Sequence, residues 1–186
     1  TMPFNYLGDF TDNRNVLLIK PSGGEITKTK KYSFEENLEQ IDTEIILSDD
    51  GNFEATVVKT SSGIGYGDQY GLERLDVKDQ ERYYRNSWKH LKNLDLNKIS
   101  FLNNKTEKRF QEKLNISGTN YSSKAGNRLL VPLSIFFIET EETPRYSNRK
   151  YPLEILRGKT VEHHSVFKIP EGYEVESIPE PTKIKN

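Results

Sequence analysis

The sequence contains no cysteine, three histidines, one tryptophan and one methionine in 186 residues. The lack of cysteine excludes disulfide bonds, thiolate nucleophiles and cysteine-ligated metals within this chain. No stretch approaches the ~20 apolar residues that a helix needs to cross a bilayer, so no direct membrane span is expected, and no signal peptide is recognisable. Because Thr1 precedes Met2, we expect the sequence to be a piece excised from a longer protein.

Neither sign of charge is in excess, because the chain has 27 lysines and arginines and 28 aspartates and glutamates. Such a balance gives no general attraction to nucleic acid, which is not expected as a partner. Apolar residues are also sparse, at 33%, although 10 tyrosines and 9 phenylalanines supply bulky core material. This composition predicts a thin core and a large surface, which suits a β-sandwich better than a compact α/β enzyme.

The clearest local structure is the hairpin predicted for "IDTEIILSDDGNFEATVVK". A turn of two residues at 50–51 would place Leu47 opposite Glu54. A loop of three residues that ends on a left-handed Gly51 would place Leu47 opposite Phe53 instead. Only the second arrangement keeps one face apolar, since a slip by one residue turns every side chain to the other face. We therefore predict the three-residue loop.

One segment has the periodicity of a helix, which we predict as an insertion around residues 70–92. Asp76 or Asp68 could cap its start. Apolar residues lie close to a 3.6-residue repeat, with charges between them, namely Leu72, Leu75, Val77, Tyr84, Trp88 and Leu91.

The rest of the chain consists of short alternating or apolar runs separated by turn residues. In one of these runs Phe110, Leu114 and Ile116 share one parity, which indicates a strand with one buried face. Hairpin connections without β-α-β alternation predict a mainly β fold, an antiparallel, immunoglobulin-like β-sandwich with the helical insertion. We assign residues 1–34 to a linker and first strands that follow an absent upstream core, and residues 35–186 to the sandwich.

Three patterns that could carry chemistry are better explained by structure alone. The glycines of "GIGYGDQYG" match no phosphate-binding motif. His163 and His164 are strand neighbours that point to opposite faces, so they cannot hold one metal together. The residues at 49–52 resemble half of a calcium loop, but turn chemistry accounts for them. We therefore predict no catalytic residue, no cofactor and no metal ligand in this chain.

Exposed tyrosines could form a flat platform for a sugar or a peptide. The possible interaction surface comprises Tyr66, Tyr70, Tyr121 and Tyr146. The competing interpretation is that these rings cover the edge of the core and keep a wet hydroxyl. A further hypothesis, hydrolysis by two facing carboxylates, would need a cleft and a perturbed pKa.

The C-terminal residues carry a family resemblance. "NRKYPLEI" at 148–155 and "VFKIPEGYEVESIPEP" at 166–181 resemble the β-rich domain of unknown function that follows the transglutaminase-like core in envelope proteins of Gram-negative bacteria. "PFNYL" at 3–7 resembles the end of that core. The matching positions are Arg149, Tyr151, Pro152 and Leu153, then Pro170, Glu171, Gly172 and Tyr173, then Pro179 and Glu180.

The resemblance implies a non-catalytic structural or protein-interaction domain that is accessory to a papain-like transglutaminase. The catalytic Cys, His and Asp of such a core would lie upstream, so this chain is not expected to be an enzyme. The implied partner is the core or another envelope protein, and the implied location is the periplasm or cell envelope. The alternative function is a carbohydrate-binding module, with glycan as the partner.

Overall fold

A computed structural model describes residues 2–136, 148, 150, 151 and 157–184. The elements in chain order are β1 (Asn15–Lys20), β2 (Gly23–Lys28), β3 (Leu38–Leu47), β4 (Phe53–Ser61), α1 (Ile64–Gln69), a 3-10 helix (Leu72–Arg74), α2 (Val77–Ser87), β5 (Asp95–Asn104), β6 (Arg109–Gly118), β7 (Ser123–Ala125), β8 (Arg128–Leu130) and β9 (Thr160–Lys168).

The prediction of a mainly β, sandwich-like fold is confirmed. The main sheet has five strands in the order β5-β6-β4-β3-β9, and β1-β2 and β7-β8 form two small hairpin sheets. One detail differs from the expectation, because β9 runs parallel to β3 while the other pairs are antiparallel. Short turns impose antiparallel pairing, whereas the long path from β3 to β9 leaves the direction of β9 free.

The three-residue hairpin loop between β3 and β4 is confirmed. Leu47 lies opposite Phe53, as only that loop allows. The Ser48 amide donates to the Asn52 carbonyl at 3.1 Å and closes the loop, and Gly51 has a φ of 86°. Hydrophobic patterning therefore selected the turn correctly, because the buried face tolerates a single register.

The helical insertion is present but divided into the 3-10 helix and α2, and the short helix α1 precedes the predicted range. The extended conformation of Leu75, with ψ at 151°, ends the 3-10 helix and separates it from α2. Leu75 and Val77 are exposed, while Leu72, Tyr84 and Trp88 are buried. The apolar repeat therefore spanned two helices that bury different residues and not one continuous helix.

Of the two capping candidates, Asp76 caps α2. Its carboxylate accepts a hydrogen bond from the Asp79 amide at 2.8 Å. We expect Asp76→Ala to lower the free energy of unfolding by about 1 kcal/mol, because one amide at the helix start loses its acceptor. Chemical denaturation measures this loss. Asp76→Asn should recover most of it, and equal losses in both variants would contradict the capping role.

The main core lies between the sheet and α2. Tyr84 and Trp88 of the α2 region pack on inward residues of β3, β4 and β6, with Ile135 and Phe136 beside them. The Trp88 and Phe136 rings are 5.0 Å apart. A second cluster of Tyr66, Leu72 and Phe110 lies against the other end of β6. Each helix therefore covers its own part of one sheet face.

The C-terminal residues differ from the sequence-based expectation. We expected a strand through Tyr173, Val175 and Ser177, but residues 173–184 form no regular strand or helix. Gly172 does form the predicted turn, with a φ of 81°. Several positions of the family resemblance, Arg149 among them, lie outside the described residues. The domain boundary after residue 34 stays a prediction.

Candidate functional site

The structure describes three of the four tyrosines predicted as a possible interaction surface, namely Tyr66, Tyr70 and Tyr121. Tyr66 is 0% exposed, and its hydroxyl donates to the Asn103 side chain at 2.8 Å. Tyr70 is half-buried and stacks on Tyr66, with ring centroids 5.9 Å apart. The Tyr66 ring is therefore not accessible from solvent. Tyr146 lies outside the described residues.

Tyr121 belongs to the opposite end of the sheet. Its ring meets Phe53 edge to face at 5.3 Å, and its hydroxyl donates to the Pro132 carbonyl. Burial raises the pKa of Tyr121 to about 12. Phe53 starts β4, whereas Tyr66 packs beside the far end of that strand, roughly 25 Å away at 3.3 Å per residue. Tyr66 and Tyr121 therefore cannot contact one small ligand.

The other sequence patterns have structural roles in the residues described. The Asp50 carboxylate accepts hydrogen bonds from the Ser48 hydroxyl and the Asn52 amide, and these bonds lower its pKa. The glycine-rich segment forms α1, where the Gly67 amide donates to the Tyr6 hydroxyl at 2.9 Å. Within the part of the chain that the structure describes, no three acidic or histidine side chains are placed to hold a metal ion.

A row of charged residues crosses the covered face of the sheet. Lys59 on β4 lies directly opposite Glu112 on β6. The Lys59 ammonium is 3.3 Å from the Glu39 carboxylate on β3. From α2, the Tyr84 hydroxyl donates to Glu112 at 2.5 Å. Three strands and one helix thus bring two carboxylates, one ammonium and one phenol together inside an otherwise apolar layer.

Burial dominates the electrostatics of this row. Glu112 is 0% exposed, and desolvation raises its pKa, although the Lys59 charge and the Tyr84 hydroxyl act in the opposite direction. Burial alone would lower the pKa of Lys59, but the carboxylates of Glu112 and Glu39 raise it above the ordinary lysine value. Burial also raises the pKa of Tyr84. Such shifts often mark functional sites, but structural ion-pair networks produce them too.

A cleft of about 200 Å³ adjoins the Glu39 end of this row. It lies between the start of β3, the end of β4, the α1 helix and the segment that leads into β9. On the β9 side, the Arg157 guanidinium is 3.2 Å from the buried Asp12 carboxylate and also donates to the Asp9 carbonyl. At this cleft the Glu39 side chain of the inner face is partly exposed to solvent.

Sequence reasoning missed Lys59 and Glu112. The available signal was their parity, because Glu112 alternates with Phe110 and Leu114 and therefore points inward with them. Lys59 follows Val57 on the inward parity of β4 in the same way. A charged residue at an inward position of two neighbouring strands predicts a buried pair, provided that the register between the strands is known.

The comparisons with known proteins concern the C-terminal third of the chain. A family described as a domain of unknown function with a solved structure (DUF3858) matches residues 127–186. No curated protein and no solved structure matches the chain. The match includes β8 and β9, the latter being an outer strand of the main sheet. It supports the expected domain of unknown function at the C-terminus and indicates no activity, ligand or compartment.

No helix among the described residues is both long and apolar enough to cross a membrane.

Proposed function

We propose that this chain is a non-catalytic protein-interaction domain, accessory to a transglutaminase-like envelope protein of the periplasm. The observation that supports this function best is an apolar face on the β1-β2 hairpin. Leu17, Ile19 and Ile26 on this face are 63%, 83% and 77% exposed. Contiguous exposed apolar side chains of this kind mark sites of protein contact.

The register of the hairpin places these three side chains together. Leu17 pairs with Ile26, and Ile19 follows Leu17 at the two-residue spacing that returns a side chain to the same face. The three residues therefore form one surface, which we call the hairpin face.

The base of the hairpin is anchored to the rest of the domain. The buried Asp12 carboxylate accepts a hydrogen bond from the Tyr32 amide and pairs with Arg157, just before β9. An isolated two-stranded hairpin is marginal in water, so packing on its apolar face would stabilise it. The anchored base and the uncovered face are consistent with a hairpin whose apolar face is accessible to a partner protein.

The partner we propose is the transglutaminase-like core of the same polypeptide. The support is the resemblance of residues 3–7 to the end of such a core, together with the exposure of Phe4 and Phe10 just ahead of the hairpin. Both rings lie in the segment that would join the two domains in this proposal. The carbohydrate-binding alternative has less support, because Tyr66 is buried and Tyr70 covers it.

The test is a binding titration between this domain and the transglutaminase-like domain encoded by the same gene, each produced separately. We expect saturable binding that weakens at least about tenfold when both Ile19 and Ile26 are replaced by Asp, since buried apolar anchors dominate interface energies. The double variant should keep the circular dichroism spectrum of the wild type, because both side chains are exposed.

Leu102→Asp is the matched control. Leu102 is 64% exposed on β5, outside the hairpin, so its substitution should leave binding unchanged. Equal weakening by the control and the double variant would contradict the hairpin face. The accessory role would be contradicted if the gene that encodes this chain encoded no transglutaminase-like domain.

A further inference from the structure

The cleft beside β3 and β4 has the features of a binding site that the proposed function does not use. Its volume is about 200 Å³, enough for one amino-acid side chain. Both apolar and polar residues line it, with Leu38 and Ile64 among the former and Asn37, Glu39, Ser61 and Asp68 among the latter.

Ser61 is the first sign that the cleft takes a ligand. This residue lines the cleft and is only 1% exposed, yet its hydroxyl has no hydrogen-bond partner among the residues that the structure describes. A buried polar group without a partner costs about 1–3 kcal/mol, so such groups are rare in folded proteins. A ligand group in the cleft would supply the missing hydrogen bond.

Two carboxylates face the same space. Glu39 lies opposite Ser61 in the sheet register and is partly exposed. Asp68 lines the cleft from α1 and is exposed. Partial desolvation raises the pKa of Asp68, and the neighbouring charge of Asp9 adds to this rise while Lys59 opposes it. A cation close to Asp68 would stabilise the charged form.

We propose that this cleft binds a primary ammonium group, supplied by a lysine side chain or by a free alkylamine. An ammonium has three N–H donors, which match the three oxygen acceptors of Ser61, Asp68 and Glu39. Leu38 and Ile64 give the aliphatic stem an apolar wall.

The basic residues at the cleft do not make it an anion site. Arg157 is paired with Asp12, and the Lys59 ammonium is paired with Glu39. Lys159 also lines the cleft but is exposed, so its charge is screened by water and salt. An anion would instead have to approach two carboxylates and would leave Ser61 as its only buried hydroxyl donor.

The test uses the whole chain, labelled with nitrogen-15, and two amine probes: n-butylammonium and Nα-acetyl-lysine-N-methylamide. We expect saturable chemical-shift changes at the amides of Ser61, Ser62 and Gly65. Tighter binding of the lysine derivative would identify a lysine side chain as the source, and equal binding would identify free amines. Both results support the ammonium site.

Two variants and a neutral probe keep the proposal falsifiable. Asp68→Asn should weaken binding at least about tenfold, because a charge-assisted hydrogen bond is lost. The control Asp95→Asn, at an exposed position of β5, should not change it. Binding by Nα-acetyl-norleucine-N-methylamide with the same affinity, or no saturable shift with either amine, would overturn the proposal. The outcome is independent of the hairpin face, which this experiment does not involve.

Discussion

Replacing Gly51 by alanine is expected to lower the free energy of unfolding by about 3 kcal/mol, because two costs add at this position. Gly51 has a φ of 86°, a conformation that disfavours a side chain. A Cβ atom there would also lie 2.5 Å from the Ser122 carbonyl oxygen, which belongs to the backbone and cannot rotate away. Equilibrium denaturation of the purified variant measures the loss.

The close approach at Gly51 has a structural purpose. Its carbonyl accepts hydrogen bonds from the amides of Tyr121 and Ser122, at 2.9 and 3.0 Å. The β3-β4 loop is thereby joined to the segment after β6. A displaced Gly51 would break both bonds and disturb the contact of Tyr121 with Phe53. The loss should therefore exceed that of an ordinary turn glycine.

Gly126 provides the matched control. Its φ is 65°, also in the left-handed region, but a Cβ atom there would meet no atom within 4 Å. Gly126→Ala should therefore lower the free energy of unfolding only by the strain of a side chain at a positive φ, about 1 kcal/mol. The difference between the two variants isolates the close contact, and equal losses would show that this contact does not matter.

The parts of the fold that sequence predicted well are those with local causes. The β3-β4 hairpin followed from alternation and from Gly51, and the cap of α2 is Asp76, one of the two aspartates that the sequence offered. The division of the helical insertion did not follow, because the break at Leu75 leaves the apolar repeat intact. Helical periodicity reports which residues are apolar and not whether the backbone between them is continuous.

Features that depend on distant contacts could not be predicted in the same way. The parallel pairing of β9 with β3 joins residues more than a hundred positions apart, and no turn links them. The burial of Tyr66 depends on Tyr70 and on Phe110 of a later strand. The cleft combines the ends of β3 and β4 with residues just before β9, so its members share no sequence motif.

The second large effect concerns the contact between Tyr84 and Glu112. At a pH above the raised pKa of Glu112, we expect Tyr84→Phe to lower the free energy of unfolding by about 2–3 kcal/mol, because a buried carboxylate loses its hydrogen-bond donor. The Tyr84 hydroxyl donates to one oxygen of Glu112, and the other oxygen has no partner among the described residues. In a Glu112→Gln background the same substitution should cost about 1 kcal/mol, the value for a neutral hydrogen bond.

The same pair should make stability depend on pH. The folded-state pKa of Glu112 is raised above the ordinary glutamate value of 4.5, so between these two pKa values the folded state holds a proton that the unfolded chain has released. The contribution of Glu112 to the free energy of unfolding is therefore fully present below pH 4.5, and it is lost as the pH rises through the raised pKa. Glu112→Gln removes the titrating proton and should flatten that part of the stability curve.

The measurement is the difference in unfolding free energy between wild type and Glu112→Gln across the pH range, which cancels the other titrating groups. Glu54→Gln is the control, since Glu54 is exposed on the outer face of β4 and should follow the wild-type curve. Parallel curves for wild type and Glu112→Gln would contradict the raised pKa. A flatter curve for Glu112→Gln than for the wild type would show that the burial of Glu112 outweighs the attraction of the Lys59 charge for its carboxylate.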